Sequence, residues 1–288
     1  VRTNNTIESL EVRRLMSTSI VADFNGIYPT DSATLANGMT LFAASDGTHG
    51  TELWKSDGTQ QGTQMLADLV SGSSGSSPTT FTTVDGKVIF FANGTNGDLL
   101  AWSSDGTSGG TIQLADFGQN NDVIFTGVAG SGDHQRLVFS LFSGQTWGSD
   151  GTVAGTFKIT DTASVTTQIQ FNLAVTRQFM PTTANGDVVF SDGQNLWSTD
   201  GTIAGTINLS SITPALQKAH VSPDQTYQYG NEAAFLMGNS GFGQPVSLWI
   251  TDGTAAGTHS VLSFDAKIGS RVGGFGDGIQ VVAGKMFI

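Results

Sequence analysis

Leu53-Trp54-Lys55-Ser56-Asp57-Gly58-Thr59-Gln60-Gln61-Gly62-Thr63 decides the fold, because the chain repeats it. It returns as Trp102-Ser103-Ser104-Asp105-Gly106-Thr107 with Gly110-Thr111, and as Trp147-Gly148-Ser149-Asp150-Gly151-Thr152 with Gly155-Thr156. A fourth copy is Leu196-Trp197-Ser198-Thr199-Asp200-Gly201-Thr202 with Gly205-Thr206, and a fifth is Leu248-Trp249-Ile250-Thr251-Asp252-Gly253-Thr254 with Gly257-Thr258. All five tryptophans lie in this frame, W-x-S/T-D-G-T-x-x-G-T, at spacings of 48, 45, 50 and 52 residues. Self-similarity at such a period marks a repeat architecture.

The flanks repeat as well. Upstream of each tryptophan stands an apolar run: Thr40-Leu41-Phe42-Ala43, Lys87-Val88-Ile89-Phe90-Phe91, Arg136-Leu137-Val138-Phe139, Asp187-Val188-Val189-Phe190 and Ala234-Phe235-Leu236-Met237. Asn37-Gly38, Asp85-Gly86 and Asn185-Gly186 precede three of them. Such dipeptides favour hairpin turns because both residues tolerate positive φ. A further strand follows each motif: Gln64–Leu69, Ile112–Phe117, Phe157–Ile159, Ile207–Leu209 and Ser260–Leu262. One unit therefore reads strand, turn, apolar strand, loop, Trp strand, Asp-Gly-Thr turn, strand, which is the size of a propeller blade. Val88-Ile89-Phe90-Phe91 puts apolar groups on both faces of a strand, as sheets stacked on both sides require. Tandem sandwiches would need about twice the strands per unit.

The fold expected is an all-β propeller of four-stranded blades. The repeats run over roughly 25–69, 79–117, 123–162, 168–212 and 219–264, with a partial unit at 270–288, in a propeller domain spanning 19–288. Ile20-Val21-Ala22-Asp23-Phe24 matches Met65-Leu66-Ala67-Asp68-Leu69, the last strand of a unit. Val282–Ile288 aligns with Val84–Phe90, a turn and second strand. Joining the two ends closes a six-bladed ring short of one strand. The expectation is a truncated ring of six or more blades.

Composition narrows the function. Net charge is −12 with pI about 4.4, and 12 basic residues among 288 do not make the phosphate-neutralising patch that nucleic acid requires. The only glutamates are Glu8, Glu11, Glu52 and Glu232, so most of the acidity is aspartate, a turn residue. No cysteine is present, which removes disulfides, thiolate catalysis and Cys-ligated zinc. No apolar run approaches the roughly 18 residues of a spanning helix, so no membrane span is expected.

Glu52-Leu53-Trp54-Lys55-Ser56-Asp57-Gly58-Thr59 resembles the signature of the bacterial ELWxxDGT repeat proteins, over roughly residues 20–288. The later copies carry Leu100, Gln145, Asn195 and Ser247 in place of the glutamate, and the second and third carry Ala101 and Thr146 in place of the leucine, so the turn is what recurs. Ser9-Leu10-Glu11-Val12-Arg13-Arg14-Leu15-Met16-Ser17 is similar to a short segment near the start of many planctomycete exported proteins. The resemblances imply an exported, extracellular or cell-surface protein in which residues 1–18 are a targeting segment. The other reading of that segment is an amphipathic surface stretch or short helix.

Two readings of the recurrent turn stand side by side. In the structural one, the aspartate accepts backbone N–H groups, Gly58, Gly106, Gly151, Gly201 and Gly253 take positive φ, and the threonine starts the next strand. Trp54, Trp102, Trp147, Trp197 and Trp249 then fill space between blades, each indole N–H needing one partner. In the other, Asp57, Asp105, Asp150, Asp200 and Asp252 bind calcium, although each turn offers one carboxylate and no D-x-D-x-D-G loop exists. No other cofactor is expected.

Catalysis finds little support. His49, His134, His220 and His259 are isolated in sequence, no G-x-S-x-G elbow occurs, and half of the six arginines (Arg2, Arg13 and Arg14) precede the repeats. Asp133 and Asp192 read as solvated loop carboxylates. The expected function is a non-enzymatic module for adhesion, matrix or protein interaction, its partner a protein or glycan at the cell surface. The alternative is a carbohydrate-binding or glycan-hydrolysing propeller. The loop aromatics that would serve a lectin are Phe142, Phe242 and Tyr227.

Overall fold

Each tryptophan stands directly across a strand pair from a phenylalanine: Trp54 from Phe42, Trp102 from Phe90, Trp147 from Phe139, Trp197 from Phe190 and Trp249 from Phe235. Cross-strand aromatic pairs of this kind fix register, since a one-residue slip of one strand would put the two rings on opposite faces of the sheet. The computed structural model describes residues 31–161, 178–192, 195–214, 216, 221–238, 246–264, 280–282 and 285–287. The export-like residues 1–18 and the strand expected at 20–24 lie outside these.

The strands form antiparallel sheets in chain order. Sheet 1 is β1 (Ser32–Thr34), β2 (Thr40–Ser45), β3 (Thr51–Ser56) and β4 (Gln64–Ala67). Sheet 2 is β5 (Thr79–Val84), β6 (Lys87–Asn93), β7 (Asp98–Ser104) and β8 (Ile112–Gln119). Sheet 3 is β9 (Val123–Ala129), β10 (Arg136–Leu141), β11 (Gln145–Ser149) and β12 (Phe157–Asp161), joined by β13 (Gln178–Phe179) parallel to β9. Sheet 4 is β14 (Val188–Ser191), β15 (Leu196–Thr199) and β16 (Ile207–Asn208). Sheet 5 is β17 (Val221–Tyr229), β18 (Glu232–Gly238), β19 (Val246–Thr251) and β20 (His259–Phe264), and β21 (Gln280–Val282) with β22 (Lys285–Phe287) makes a sixth hairpin.

The uniform four-stranded unit fails in the fourth repeat. Pro181 has no N–H to donate, so the segment before β14 makes one isolated bridge, Thr182 to Val188, instead of a ladder. Its start, β13, pairs with the preceding sheet. The last strand of this unit is also cut short. Leu209, expected in the strand, opens the one-turn helix α1 (Leu209–Ile212), with Asn208 capping Ser211 N–H at 3.0 Å.

Successive sheets stack face to face, and the alternation along β2, β6, β10, β14 and β18 sets the packing. Leu41 of sheet 1 lies with Val88 and Phe90 of sheet 2. Ile89 and Phe91 of sheet 2 lie with Leu137 and Phe139 of sheet 3. Val138 of sheet 3 packs with Val188 and Phe190 of sheet 4, and Val189 and Leu196 of sheet 4 pack with Phe235 and Trp249 of sheet 5. Each Phe–Trp pair of sheets 2 to 5 thus faces the sheet before it, and the residue preceding the phenylalanine faces the sheet after. Both faces of the middle sheets are dry, which is why their strands are apolar throughout.

Candidate functional site

The Asp-Gly-Thr turns join the Trp strand to the last strand of each unit and share one end of the stack with the Asn-Gly and Asp-Gly turns. Their first glycines take φ between +77° and +91°, a region costly for a side chain. In the third copy the Thr152 N–H and hydroxyl both donate to Asp150 Oδ1, at 3.0 and 2.7 Å. Gly155 N–H donates to the Thr152 hydroxyl, and the Thr156 hydroxyl donates to Thr152 C=O. Because Thr156 has spent its only proton, Ser149 donates to Thr156 Oγ1 at 2.7 Å and itself accepts Gly151 N–H. The same relay recurs in every copy, with Thr replacing Ser in the last two. The threonine of the Asp-Gly-Thr triplet therefore does not start a strand. It is the hub of the turn, and the next strand begins at or after the residue that follows the second Gly-Thr.

The second glycine is needed for space. A Cβ on Gly62, Gly110, Gly155, Gly205 or Gly257 would overlap the carboxylate of Asp57, Asp105, Asp150, Asp200 or Asp252 respectively. Hydrogen bonds from Thr59 and Thr107 hold the carboxyls of Asp57 and Asp105 below the ordinary value. Asp150 feels burial as its largest single influence, upward, yet the hydrogen bonds from Thr152 and the charges of Arg136 and Lys87 bring it below as well. Arg136 reaches Asp150 Oδ2 at 3.3 Å and lies over the Phe157 ring.

Each turn from the second onward rests on the preceding sheet, at two recurring positions. One is the residue after the tryptophan, the other the first residue of the second strand or its immediate neighbour. Lys55 Nζ donates to Gly106 C=O at 3.2 Å, and a Cβ on Gly106 would come within 3.6 Å of Met39. A Cβ on Gly151 would lie 3.1 Å from both Ser103 and Lys87. One on Gly201 would lie 2.7 Å from Arg136 Cβ, while a Cβ on Gly148 would meet Gly201 C=O. One on Gly253 would be 2.8 Å from Ser198 Oγ and 3.4 Å from Asp187. Burial, with the charge of Asp200 adding, pushes the Asp187 carboxyl up. The variable x of W-x-S/T-D-G-T is thus the seat of the next repeat's turn.

No family profile matches the chain, and no curated protein matches it. Among solved structures it is similar to the computationally designed Ika8 protein, with 16% identity, 86% of this chain and 66% of that one covered, and TM-score 0.38. It is similar to Saccharomyces cerevisiae Sqt1, with 10% identity, 83% and 64% covered, and TM-score 0.41. It is also similar to BamB from Moraxella catarrhalis, with 13% identity, 82% and 76% covered, and TM-score 0.31. The chain spans just under two thirds of the length of the first two.

The opposite end of the stack carries groups whose roles the sequence hides. Glu52, the one glutamate in the motif position, is fully buried and accepts four hydrogen bonds, from the N–H groups of Leu69, Val70 and Ser76 and the Ser76 hydroxyl, at 2.6–3.2 Å. It ties the connection between sheets 1 and 2 to β3. The contact of Gly50 with Gly75 backbone, which leaves no room for side chains, reinforces that tie. His49 is not isolated: its Nδ1 lies 2.7 Å from Asp46 Oδ2. Hydrogen bonds from the His49 and Thr48 N–H groups and the His49 ring bring Asp46 down to about 2, and Asp46 raises His49.

Asp192 is buried rather than solvated. It accepts Asn195 N–H at 2.6 Å and the Trp197 indole N–H at 2.7 Å. Trp147 finds its partner in Gln145. The indole N–H groups of Trp102 and Trp249 are buried with no hydrogen-bond partner among the described residues. Asp133 sits exposed in a short 3-10 turn, Gly132–His134. Phe142 is exposed, at 39%, in the β10–β11 turn, where its N–H donates to Asp122 C=O and neighbouring Ser143 is clasped by the Asn121 amide. Tyr227 lies in β17, not in a loop, and Phe242 and His220 fall outside the described residues. The five turn aspartates stand on separate sheets, and among the described residues no three His, Asp or Glu side chains gather as a metal site. An open groove of about 510 Å³ lies between sheets 4 and 5, lined by Ala184, Tyr229, Gly230, Asn231, Glu232 and Asp252. No described helix is long and apolar enough to cross a membrane.

Proposed function

We propose that this chain is a propeller-type module of an exported ELWxxDGT repeat protein, and that it binds a protein or glycan at the cell surface without catalysing a reaction. The observation that carries this is the closed relay in the five turns. Every hydroxyl of the motif both donates and accepts within its own turn, and from the second turn onward the turn's first glycine is pressed onto the preceding sheet. The recurrent residues are therefore committed to holding sheets together. Binding specificity falls to what differs among repeats, the hairpin tips and crossovers at the far end of the stack, as loops on a rigid scaffold commonly provide. Calcium at the turns would have to share each carboxylate with two threonine donors.

One observation favours the glycan form of this reading. Phe142 presents an exposed ring at that far end on a turn pinned by Asp122 and Asn121, an aromatic platform beside amide and hydroxyl groups. The test is a glycan array run with calcium and again with chelator, on the parent and on Phe142→Ala, beside protease shaving of producing cells. Selective binding lost in Phe142→Ala supports the glycan form. Surface exposure without glycan binding supports the protein-adhesion form. A chain protected from protease in intact cells overturns both.

A further inference from the structure

We infer that the far-end surface shared by sheets 2 and 3, built around Phe142 and Asn120, is a subsite for an uncharged sugar. This rests on the glycan form of the reading above and adds the residues that meet the ligand and the class of saccharide they select.

Three segments come together there: the β6–β7 tip at 94–97, the β8–β9 crossover at 120–122 and the β10–β11 tip at 142–144. Hydrogen bonds lock them into one surface. Gln119, the last residue of β8, donates from Nε2 to Asn96 C=O at 2.8 Å, which fixes the crossover to the β6–β7 tip. Asn121 donates from Nδ2 to Phe117 C=O and to the Ser143 hydroxyl, and its Oδ1 accepts Ser143 N–H at 3.2 Å. Phe142 N–H donates to Asp122 C=O at 2.8 Å. The β10–β11 tip is thus tied to the crossover at two successive residues. Gly118 and Asn120 turn the crossover with φ of +72° and +58°. Asparagine tolerates that region where most side chains do not. Asn96 and Asn120 are exposed, and their side-chain amides make no hydrogen bond among the described residues.

The groups left over match the two faces of a sugar. A pyranose has an apolar C–H face and a rim of hydroxyls. The exposed Phe142 ring offers a surface for the first, and planar amides, each with donor and acceptor, suit adjacent hydroxyls on the second. The backbone carrying both is already fixed, so binding costs little further ordering. The tips at 46–50 and 94–97 contain no aromatic residue, so neither repeats this arrangement. Charge selects the class. Asp98, Asp116 and Asp122 stand in or beside these segments, and between Lys87 and Lys158 the chain has one cation, Arg136. That guanidinium pairs with Asp150 at the opposite end of the stack. A uronic acid or sulfate group would meet carboxylates with nothing to pair it, whereas a neutral hexose meets no such opposition.

The full chain and the variants Phe142→Ala, Phe142→Tyr and Asn120→Gly are titrated against neutral glucan, mannan and galactan oligosaccharides and against uronic-acid and sulfated ones. Glycine accepts the φ of Asn120, so that variant removes the amide without straining the crossover. The expected result is binding of a neutral oligosaccharide that added salt leaves unchanged. Phe142→Ala should weaken it about tenfold and Asn120→Gly about fivefold, while Phe142→Tyr retains it. If Phe142→Ala lowers the unfolding temperature, Asn120→Gly decides alone. Neutral binding undiminished in both Phe142→Ala and Asn120→Gly overturns this subsite and leaves the glycan reading standing. Binding of acidic oligosaccharides alone overturns the neutral class. No binding of any oligosaccharide by a chain that protease removes from intact cells overturns the subsite and the glycan form together, and leaves protein adhesion.

Discussion

The carboxylate of Asp200 fills the space that a side chain on Gly205 would occupy, and it does so while accepting both the N–H and the hydroxyl of Thr202. Aspartate and the second glycine of the motif are thus one steric unit. Gly205→Ala forces the carboxylate out of its site and is expected to destabilise the chain by about 2 kcal/mol. In an Asp200→Ala background the same change should cost far less. Denaturant unfolding of the four proteins of this cycle measures the coupling, and additive costs would show that glycine is there for another reason.

The first glycines separate backbone conformation from seating. Gly38 and Gly201 share a φ of +84°, but only Gly201 is pressed against another sheet, at Arg136. Asparagine tolerates that φ better than other side chains. Gly201→Asn should therefore cost about 2 kcal/mol more than Gly38→Asn in thermal or urea unfolding. Equal costs would mean the turn does not bear on Arg136.

Glu52 is a buried carboxylate satisfied entirely by donors of one crossover. Glu52→Gln turns an amide N–H group toward N–H donors, and Glu52→Ala leaves three backbone N–H groups unpaired. A loss of about 3 kcal/mol is expected for either. Hydrogen exchange should rise first at Leu69, Val70 and Ser76. Unchanged protection there would remove Glu52 from its role as a staple.

The Asp46–His49 pair gives a local pH signature. His49 is raised by its partner, so its contribution is present below about pH 6.5 and fades as pH rises through the elevated value. Asp46 is lowered to about 2, so its contribution is present above its unfolded value and fades as pH falls toward 2. NMR titration of the His49 ring should show the elevated midpoint, and Asp46→Asn should bring it down. Both groups are solvent-exposed, so global unfolding should hardly change.

Asp187 shows the opposite sign. Its carboxyl is raised by burial and by Asp200, which penalises the charged form in the folded chain. Asp187→Asn should raise stability at pH 7 by a few tenths of a kcal/mol after solvent screening, with the gain vanishing below about pH 4. A loss of stability at pH 7 would mean the carboxylate is held by a favourable contact.

The period and the strand order were legible because the aromatic pair and the turn recur in every unit, and each unit must satisfy the same local geometry. The turn's aspartate and first glycine read directly as turn chemistry. The purpose of the second glycine did not, since nothing linear shows a carboxylate lying across Gly62 or Gly155. Glu52 was invisible for a related reason: its partners lie 17 to 24 residues downstream, in a crossover unlike the others. The irregular fourth unit turned on Pro181, whose missing donor matters only once the neighbouring strand is known. Lys55 and Ser103 looked like unconstrained positions because what constrains them belongs to the next repeat.

That last feature sets how such a chain can change in length. A seat and the turn that occupies it come from different units, so each unit brings one of each. Duplicating or deleting a whole unit leaves every turn after the first with a seat of the same kind, whereas a crossover between the Trp strand and its turn alters both halves of a contact at once. The interlock therefore makes the complete unit the natural quantum of insertion, and lets the count of units drift while the contacts between them stay alike.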